Sequence, residues 1–293
     1  MRTAPLTLLF LLTASLLPGL QAVAQTEEQF YFNDQALRSG IERQGTDLIE
    51  AGDIVDYEVL AGQLSERTRY DALPPANFTL TEDGEEIYDT TDDGVLVIAR
   101  LYLCGRCDNI HANCATGFVV SEDGLAVTNH HVMQTDNAIT FVAMTRDGTV
   151  HPVIEVLASN EADDITLLRL GGEGFTPLPL ARDATVGERV HAITHPNRQF
   201  YYYSSGEIAR FYLKPTSRGQ APVRRLGITA DYAQGSSGGP ILNDRGQVVG
   251  VVSATRSLYA NGTGEGDRNL QMVLHECVPY ESILDLFADP EAQ

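Results

Sequence analysis

Hydrophobic and polar positions divide the chain into four textures. Leu6 to Leu17 is a short, largely apolar run interrupted by Thr7, Thr13 and Ser15 and closed by Pro18 and Gly19. Between Gln25 and about Ala76 the chain is polar and acidic, and Leu37, Ile41, Leu48, Ile54, Val59, Leu60 and Leu64 recur at roughly helical spacing, which predicts two or three short helices or a partly ordered leader. Pro74-Pro75 ends that region. From about Ile87 the pattern changes to short β runs: "VLVIARLYL", "GFVVSEDGLAVTNHHV", "AITFVAMTRDGTVHPVIEVLA", "ITLLRL", "RVHAITH" and "QVVGVVSATR". "EDG", "RDG" and "DRG" stand where hairpins turn. Many short strands without intervening helices predict an all-β barrel or sandwich, and "VPYESILDLFA" predicts a C-terminal helix.

Composition adds the compartment and removes some partners. The 293 residues carry 40 acidic and 20 basic side chains, a formal charge of -20. Such a surface repels nucleic acid and anionic lipid, so neither is an expected partner. Arg2, the apolar run and the small residues Ala22-Val23-Ala24 make 1–24 a signal peptide by pattern. The run is too short to span a bilayer comfortably, no cysteine follows it for lipidation, and no later segment could cross a membrane. The expected location is therefore secreted or periplasmic, with a 25–85 N-terminal helical or partly ordered segment and an 86–288 main, strand-rich domain. Asn77 and Asn261 match glycosylation acceptors.

Export sets the expectation for the four cysteines, Cys104, Cys107, Cys114 and Cys277. An oxidising compartment favours two disulfides, with Cys277 tied to one of the other three. "CGRC" also has redox-dithiol form, and Cys104, Cys107, His111 and Cys114 have zinc-knuckle spacing. On compartment, structural disulfides are expected, with no metal and no cofactor.

Three stretches carry candidate chemistry. "TNHHV" puts a histidine at the end of an apolar run, where it can take a proton from a hydroxyl. "DDITLLRL" brings Asp164 to the start of an apolar strand, a partly buried place that a carboxylate tolerates with a partner such as an imidazole N–H. In "DYAQGSSGGPIL", Gly235 and Gly238-Gly239 let the backbone turn the amides of Gly235 and Ser237 toward a developing oxyanion. The order is His, Asp, Ser, that of the two-barrel serine proteases rather than of subtilisin-like or α/β-hydrolase enzymes.

"ATGFVVSEDGLAVTNHHV", "DDITLLRL" and "GSSGGPILNDRGQVVGVVS" resemble the trypsin-like (chymotrypsin-fold) serine proteases, most of all the bacterial HtrA-type branch, from about Ile87 to Phe287. The resemblance implies an all-β fold of two six-stranded antiparallel β-barrels with the site between them, here with a C-terminal helix and a short helical N-terminal segment. It also implies His131 as general base, Asp164 as its orienter, Ser237 as nucleophile, and Gly235 and Ser237 as oxyanion donors. His130 is expected to point the other way along the strand, and Asp163 is the alternative acid.

HtrA-type proteases carry a PDZ domain after the protease. This sequence stops there, so peptide-gated assembly is not expected. Ser236 stands where pancreatic-type enzymes have an aspartate that receives the freed N-terminus, so that activation is not expected either. Asp231 aligns with the pocket-floor carboxylate of trypsin, or else caps a turn outside the pocket. Ser253, Ala254 and Thr255 resemble the strand that pairs with the substrate backbone, with Thr255 narrowing the entrance. The reading is an exported serine endopeptidase acting on proteins or peptides. A weakly active binding or scaffolding protein on the same fold, and an esterase, are the alternatives.

Overall fold

A computed structural model of the chain describes residues 31–82, 86–216, 221–260 and 269–288. The signal-like stretch and Asn261 lie outside these residues. Six strands, β1 (Val95–Leu103), β2 (Ile110–Val119), β3 (Leu125–Thr128), β4 (Thr140–Met144), β5 (Val150–Asn160) and β6 (Ile165–Leu170), pair antiparallel into a closed barrel in the order β1-β2-β3-β6-β5-β4. Six more, β7 (Arg189–Thr194), β8 (Tyr202–Lys214), β9 (Val223–Ile228), β10 (Pro240–Leu242), β11 (Val248–Tyr259) and β12 (Leu270–Pro279), form a second antiparallel sheet. Its order is β10-β11-β12-β9-β8-β7, and β7 pairs back to β10.

The helices are few. The helical spacing near the N-terminus becomes α1 (Asp34–Ala51) and α2 (Tyr57–Glu66). Asn33 caps α1 by accepting the Ala36 amide at 3.0 Å, and Gly52 closes it in the left-handed region. In α2, Leu60 and Leu64 lie four residues apart on the buried face. They join Leu96, Ile98, Phe141 and Leu168 in the core of the first barrel. The segment thus completes the hydrophobic core of that barrel. A short helix, α3 (Ile87–Thr91), precedes β1, a single helical turn, α4 (His130–Met133), follows β3, and α5 (Tyr280–Leu284) falls within the expected C-terminal helix. None of the described helices is long and apolar enough to cross a membrane.

Burial explains which strands the sequence announces. β1 is buried on both faces from Val95 to Ala99, so it reads as a continuous apolar run. β8 buries only Ile208 fully and carries no hydrophobic period to read. The second sheet packs Val190, Ile208, Leu226, Ile241, Val252 and Cys277 inside.

His195, just after β7, locks the second sheet to the first barrel. Its ring is fully buried, donates from Nε2 to the Leu96 carbonyl of β1 at 3.1 Å, and accepts the Tyr201 amide on Nδ1 at 3.0 Å. Burial pushes its pKa down to about 3, because protonation would charge a dry site and set two donors, Nδ1–H and the Tyr201 N–H, against each other.

Two predictions follow from this packing. Leu60→Ala should lower unfolding free energy by about 2–5 kcal/mol in urea titrations, and the half-exposed Val59→Ala should change it by no more than about 0.5 kcal/mol. For His195 the folded pKa lies below the unfolded one, so the unfolded chain binds the extra proton. Its contribution to stability is present above about pH 6.5 and is lost as pH falls toward 3. The urea midpoint should drop through that window, and the acid-side drop should be shallower in His195→Gln. Equal slopes would place the titration elsewhere.

Candidate active site

The site forms where the loop from Asp231 to Gly239 meets the first barrel. β3 runs into α4, and Asn129 at the junction donates from Nδ2 to the Asp164 carbonyl at 2.8 Å. His130 and His131 therefore sit on one turn of helix rather than at a strand end, and they diverge by the rotation of a helix. His130 turns inward, its Nδ1 lying 2.8 Å from Ser159 Oγ, and burial lowers its pKa. His131 turns outward into the cleft.

Asp164 sits just before β6 with φ +62, a conformation that a non-glycine residue adopts at some cost. The carboxylate is enclosed by donors. His131 Nδ1 lies 2.9 Å from both of its oxygens, the His131 amide donates to Oδ1 at 3.1 Å, and Ser253 Oγ donates to Oδ2 at 2.6 Å. A carboxylate only accepts here, so the imidazole proton is on Nδ1 and Nε2 keeps its lone pair. Asp163 points away: it is buried beside Asn160 and lies 3.8 Å from Arg225.

Ser237 shares a cleft of about 250 Å³ with His131, Gly235, Gln234, Asn197 and Arg198. Its Oγ reaches the Ser253 carbonyl at 3.5 Å, the outer limit of a hydrogen bond, so the hydroxyl is loosely held. Two peptide planes decide where the neighbouring amides point. The Gln234 carbonyl accepts from Asn197 N at 2.6 Å, and the Ser236 carbonyl accepts from Gly239 N at 3.0 Å. A trans peptide aims its N–H opposite to its C=O. The Gly235 and Ser237 amides therefore face away from those partners, and among the described residues neither has a protein acceptor.

Glycine is required at both ends of this turn. Gly235 has φ +100, and a Cβ there would lie 2.5 Å from the His195 carbonyl oxygen. Gly238 has φ +85, and its Cβ would lie 2.2 Å from the Thr116 carbonyl oxygen. Thr116, fully buried on β2, holds the turn by donating its amide to Ser237 O at 2.9 Å and its hydroxyl to Gly235 O at 2.8 Å. Ser236 is buried beneath and donates to Thr194 Oγ1 at 2.9 Å.

The loop after β7 supports the same turn. Asn197, Arg198 and Tyr201 all have positive φ, a strain that persists because the loop is tied down. Asp34 of α1 accepts the Phe200 amide at 3.0 Å, His195 accepts that of Tyr201, and the Tyr88 hydroxyl of α3 donates to Tyr201 O at 3.3 Å. The sequence gives no signal for Thr116, Asn197 or Asp34. Their contribution is a backbone amide or one hydroxyl set by tertiary contact.

Asp231 and the four cysteines are placed as follows. Asp231 does not form an enclosed pocket floor: its side chain is 90% exposed and lies 3.6 Å from His275, while its carbonyl accepts from Ser204 Oγ. The two expected disulfides are not shown, all four cysteines standing unpaired. Cys277 is fully buried inside the second sheet beside the Tyr232 hydroxyl, and burial raises its thiol to about 12. Cys114 is buried on β2, where burial also raises it to about 12, whereas Cys104 and Cys107 lie at the tip of the β1–β2 hairpin. With His111 they make the one group of metal-ligating side chains among the described residues that lie close enough to share an ion.

Ser253, Ala254 and Thr255 lie on β11. Ser253 is committed to Asp164, whereas Ala254 and Thr255 are exposed. β12 pairs with one edge of this stretch, and no described strand pairs with the other.

Residues 115–251 match the model of the trypsin-like peptidase domain. The chain is 27% identical over 156 residues to the serine endoprotease DegS of Haemophilus influenzae, covering 53% of this chain and 45% of that protein. It is 30% identical over 161 residues to the putative serine protease HhoA of Synechocystis, covering 53% and 39%. It is 36% identical over 168 residues to the mitochondrial serine protease HTRA2 of Bos taurus, covering 53% and 34%. The matched part spans less than half the length of each of these relatives. With an all-β fold, a histidine, an aspartate and a serine gathered at one cleft, and these relatives, the chain carries a match to the trypsin-like peptidase domain and is similar to serine proteases of the HtrA type.

Proposed function

We propose that the protein is an exported serine endopeptidase and that His131, Asp164 and Ser237 are its triad. The observation that carries the reading is the pairing of His131 Nδ1 with a carboxylate held by two further donors, across a cleft shared with Ser237. That pairing leaves Nε2 as the base. Oγ of Ser237 rotates from its weak contact with Ser253 O, gives its proton to Nε2 and attacks the scissile carbonyl. The tetrahedral oxyanion is received by the Gly235 and Ser237 amides, which carry no competing acceptor. His131 returns the proton to the leaving amine, and water repeats the sequence on the acyl-enzyme.

The extended substrate adds to the free edge of Ala254 and Thr255, an edge that supports strand addition. With Asp231 on the surface, a preference for lysine or arginine loses its carboxylate, which favours an uncharged side chain at the cleaved bond. The signal-like pattern of 1–24 supports export. The burial of Leu60 and Leu64 in the barrel core supports assigning α1 and α2 to the protease domain itself rather than to a removable cover.

A fluorophosphonate probe tests the assignment. The wild-type chain should be labelled at Ser237, Ser237→Ala should show no labelling, and His131→Ala should label at least about 10³-fold more slowly while keeping the same urea midpoint. Undiminished labelling of Ser237→Ala would remove Ser237 from the mechanism.

A further inference from the structure

The tip of the β1–β2 hairpin carries chemistry that the protease reading does not use. Cys104 follows β1, Cys107 lies in the turn, and His111 is the second residue of β2. Cys104 Sγ and Cys107 Sγ are 3.4 Å apart, Cys107 Sγ and His111 Nε2 are 3.1 Å apart, and all three donor atoms lie within 4.8 Å of one another. We propose that Cys104, Cys107 and His111 bind a zinc-class divalent ion.

The dimensions fit the ion. Zn–S bonds of about 2.3 Å and Zn–N bonds of about 2.0–2.1 Å, set at tetrahedral angles, separate the sulfurs by about 3.8 Å and sulfur from nitrogen by about 3.6 Å. The two printed separations differ from these by about 0.5 Å or less, and half-exposed side chains at a hairpin tip supply that movement by small χ rotations. Two thiolates and an imidazole select zinc over the hard cations calcium and magnesium, which take oxygen ligands.

Neighbouring groups hold the ligands in place. Tyr102, directly opposite His111 in the β1–β2 register, packs its ring 5.8 Å from the imidazole, and Arg100 covers the Tyr102 ring at 4.9 Å. Cys114 is not part of the set. It lies three residues beyond His111 on a strand whose side chains alternate, so it faces the opposite side and is buried. Three protein ligands leave the fourth position to solvent.

The site bears on the cleft through the hairpin itself. Arg100 and Asn113 are cross-strand partners lower in the same ladder, and both line the cleft with His131 and Ser237. An ion at the tip joins the two strands above that pair and stiffens one wall of the cleft.

Metal binding tests this independently of activity. The purified full chain, reduced and freed of metal, is titrated with Co²⁺ as a spectroscopic probe and then with Zn²⁺ in competition. One ion per chain is expected, with thiolate-to-cobalt charge-transfer absorption and tetrahedral d–d bands. Cys104→Ser, Cys107→Ser and His111→Ala should each weaken binding at least about tenfold, while Cys114→Ser and Cys277→Ser should leave it unchanged. The metal-free urea midpoint of the tip variants should match wild type, which separates ligand loss from misfolding. Binding that survives in the tip variants would overturn the site. So would a zinc-free protein, isolated without reductant, with a Cys104–Cys107 disulfide in its mass spectrum.

Discussion

Thr116 holds the backbone of the serine loop against the first barrel, and the geometry of the cleft depends on that contact. The Thr116 amide donates to Ser237 O and its hydroxyl to Gly235 O, and the same hydroxyl accepts the His195 amide at 3.2 Å. Backbone can approach backbone this closely only where no Cβ intervenes, which is why Gly238 lies against Thr116 O. Once the two carbonyls are engaged by the barrel, and those of Gln234 and Ser236 by Asn197 and Gly239, the remaining amides point into the cleft. The carbonyls from Gln234 to Ser237 are thus all engaged, while the Gly235 and Ser237 amides, the oxyanion donors proposed above, have no protein acceptor among the described residues.

The carboxylate side of the cleft follows a similar logic. Asp164 occupies a left-handed conformation, and Asn129 binds its carbonyl while His131 and Ser253 bind its carboxylate. Those bonds come from α4 in the first barrel and β11 in the second sheet, so the acid registers the two halves against each other. Strain at one residue persists because several donors fix it at once. The loop from His195 to Tyr201 repeats the pattern, with three left-handed residues secured from α1, α3 and the buried imidazole.

The sequence displayed the groups that the proposed mechanism uses through their side chains. His131, Asp164 and Ser237 stand in flanks of fixed type and order, and the apolar runs of β1 and β6 are plain because both strands are largely buried. Groups acting through the main chain left no trace: Thr116 is one threonine among many, and Asn197 matters for its amide. Strands β8 and β12 escaped notice because exposed positions break their alternation, and β9 because Arg224, Arg225 and Gly227 interrupt its apolar run. The cysteines are a different case. Compartment chemistry predicted pairing, but the closed sheet places Cys277 in its interior, away from the hairpin that carries Cys104 and Cys107. Asp231 was placed by counting back from Ser237, and counting does not reveal which way a loop side chain turns.

The central claim is that the turn from Gln234 to Gly239 is preset to receive an oxyanion. A crystal structure of the chain phosphonylated at Ser237 tests it most directly. The account predicts the phosphonyl oxygen about 2.7–3.1 Å from both Gly235 N and Ser237 N, with the Gln234 carbonyl still on Asn197 N. A phosphonyl oxygen directed to solvent, or a Gln234–Gly235 peptide turned over so that its carbonyl faces the cleft, would contradict it.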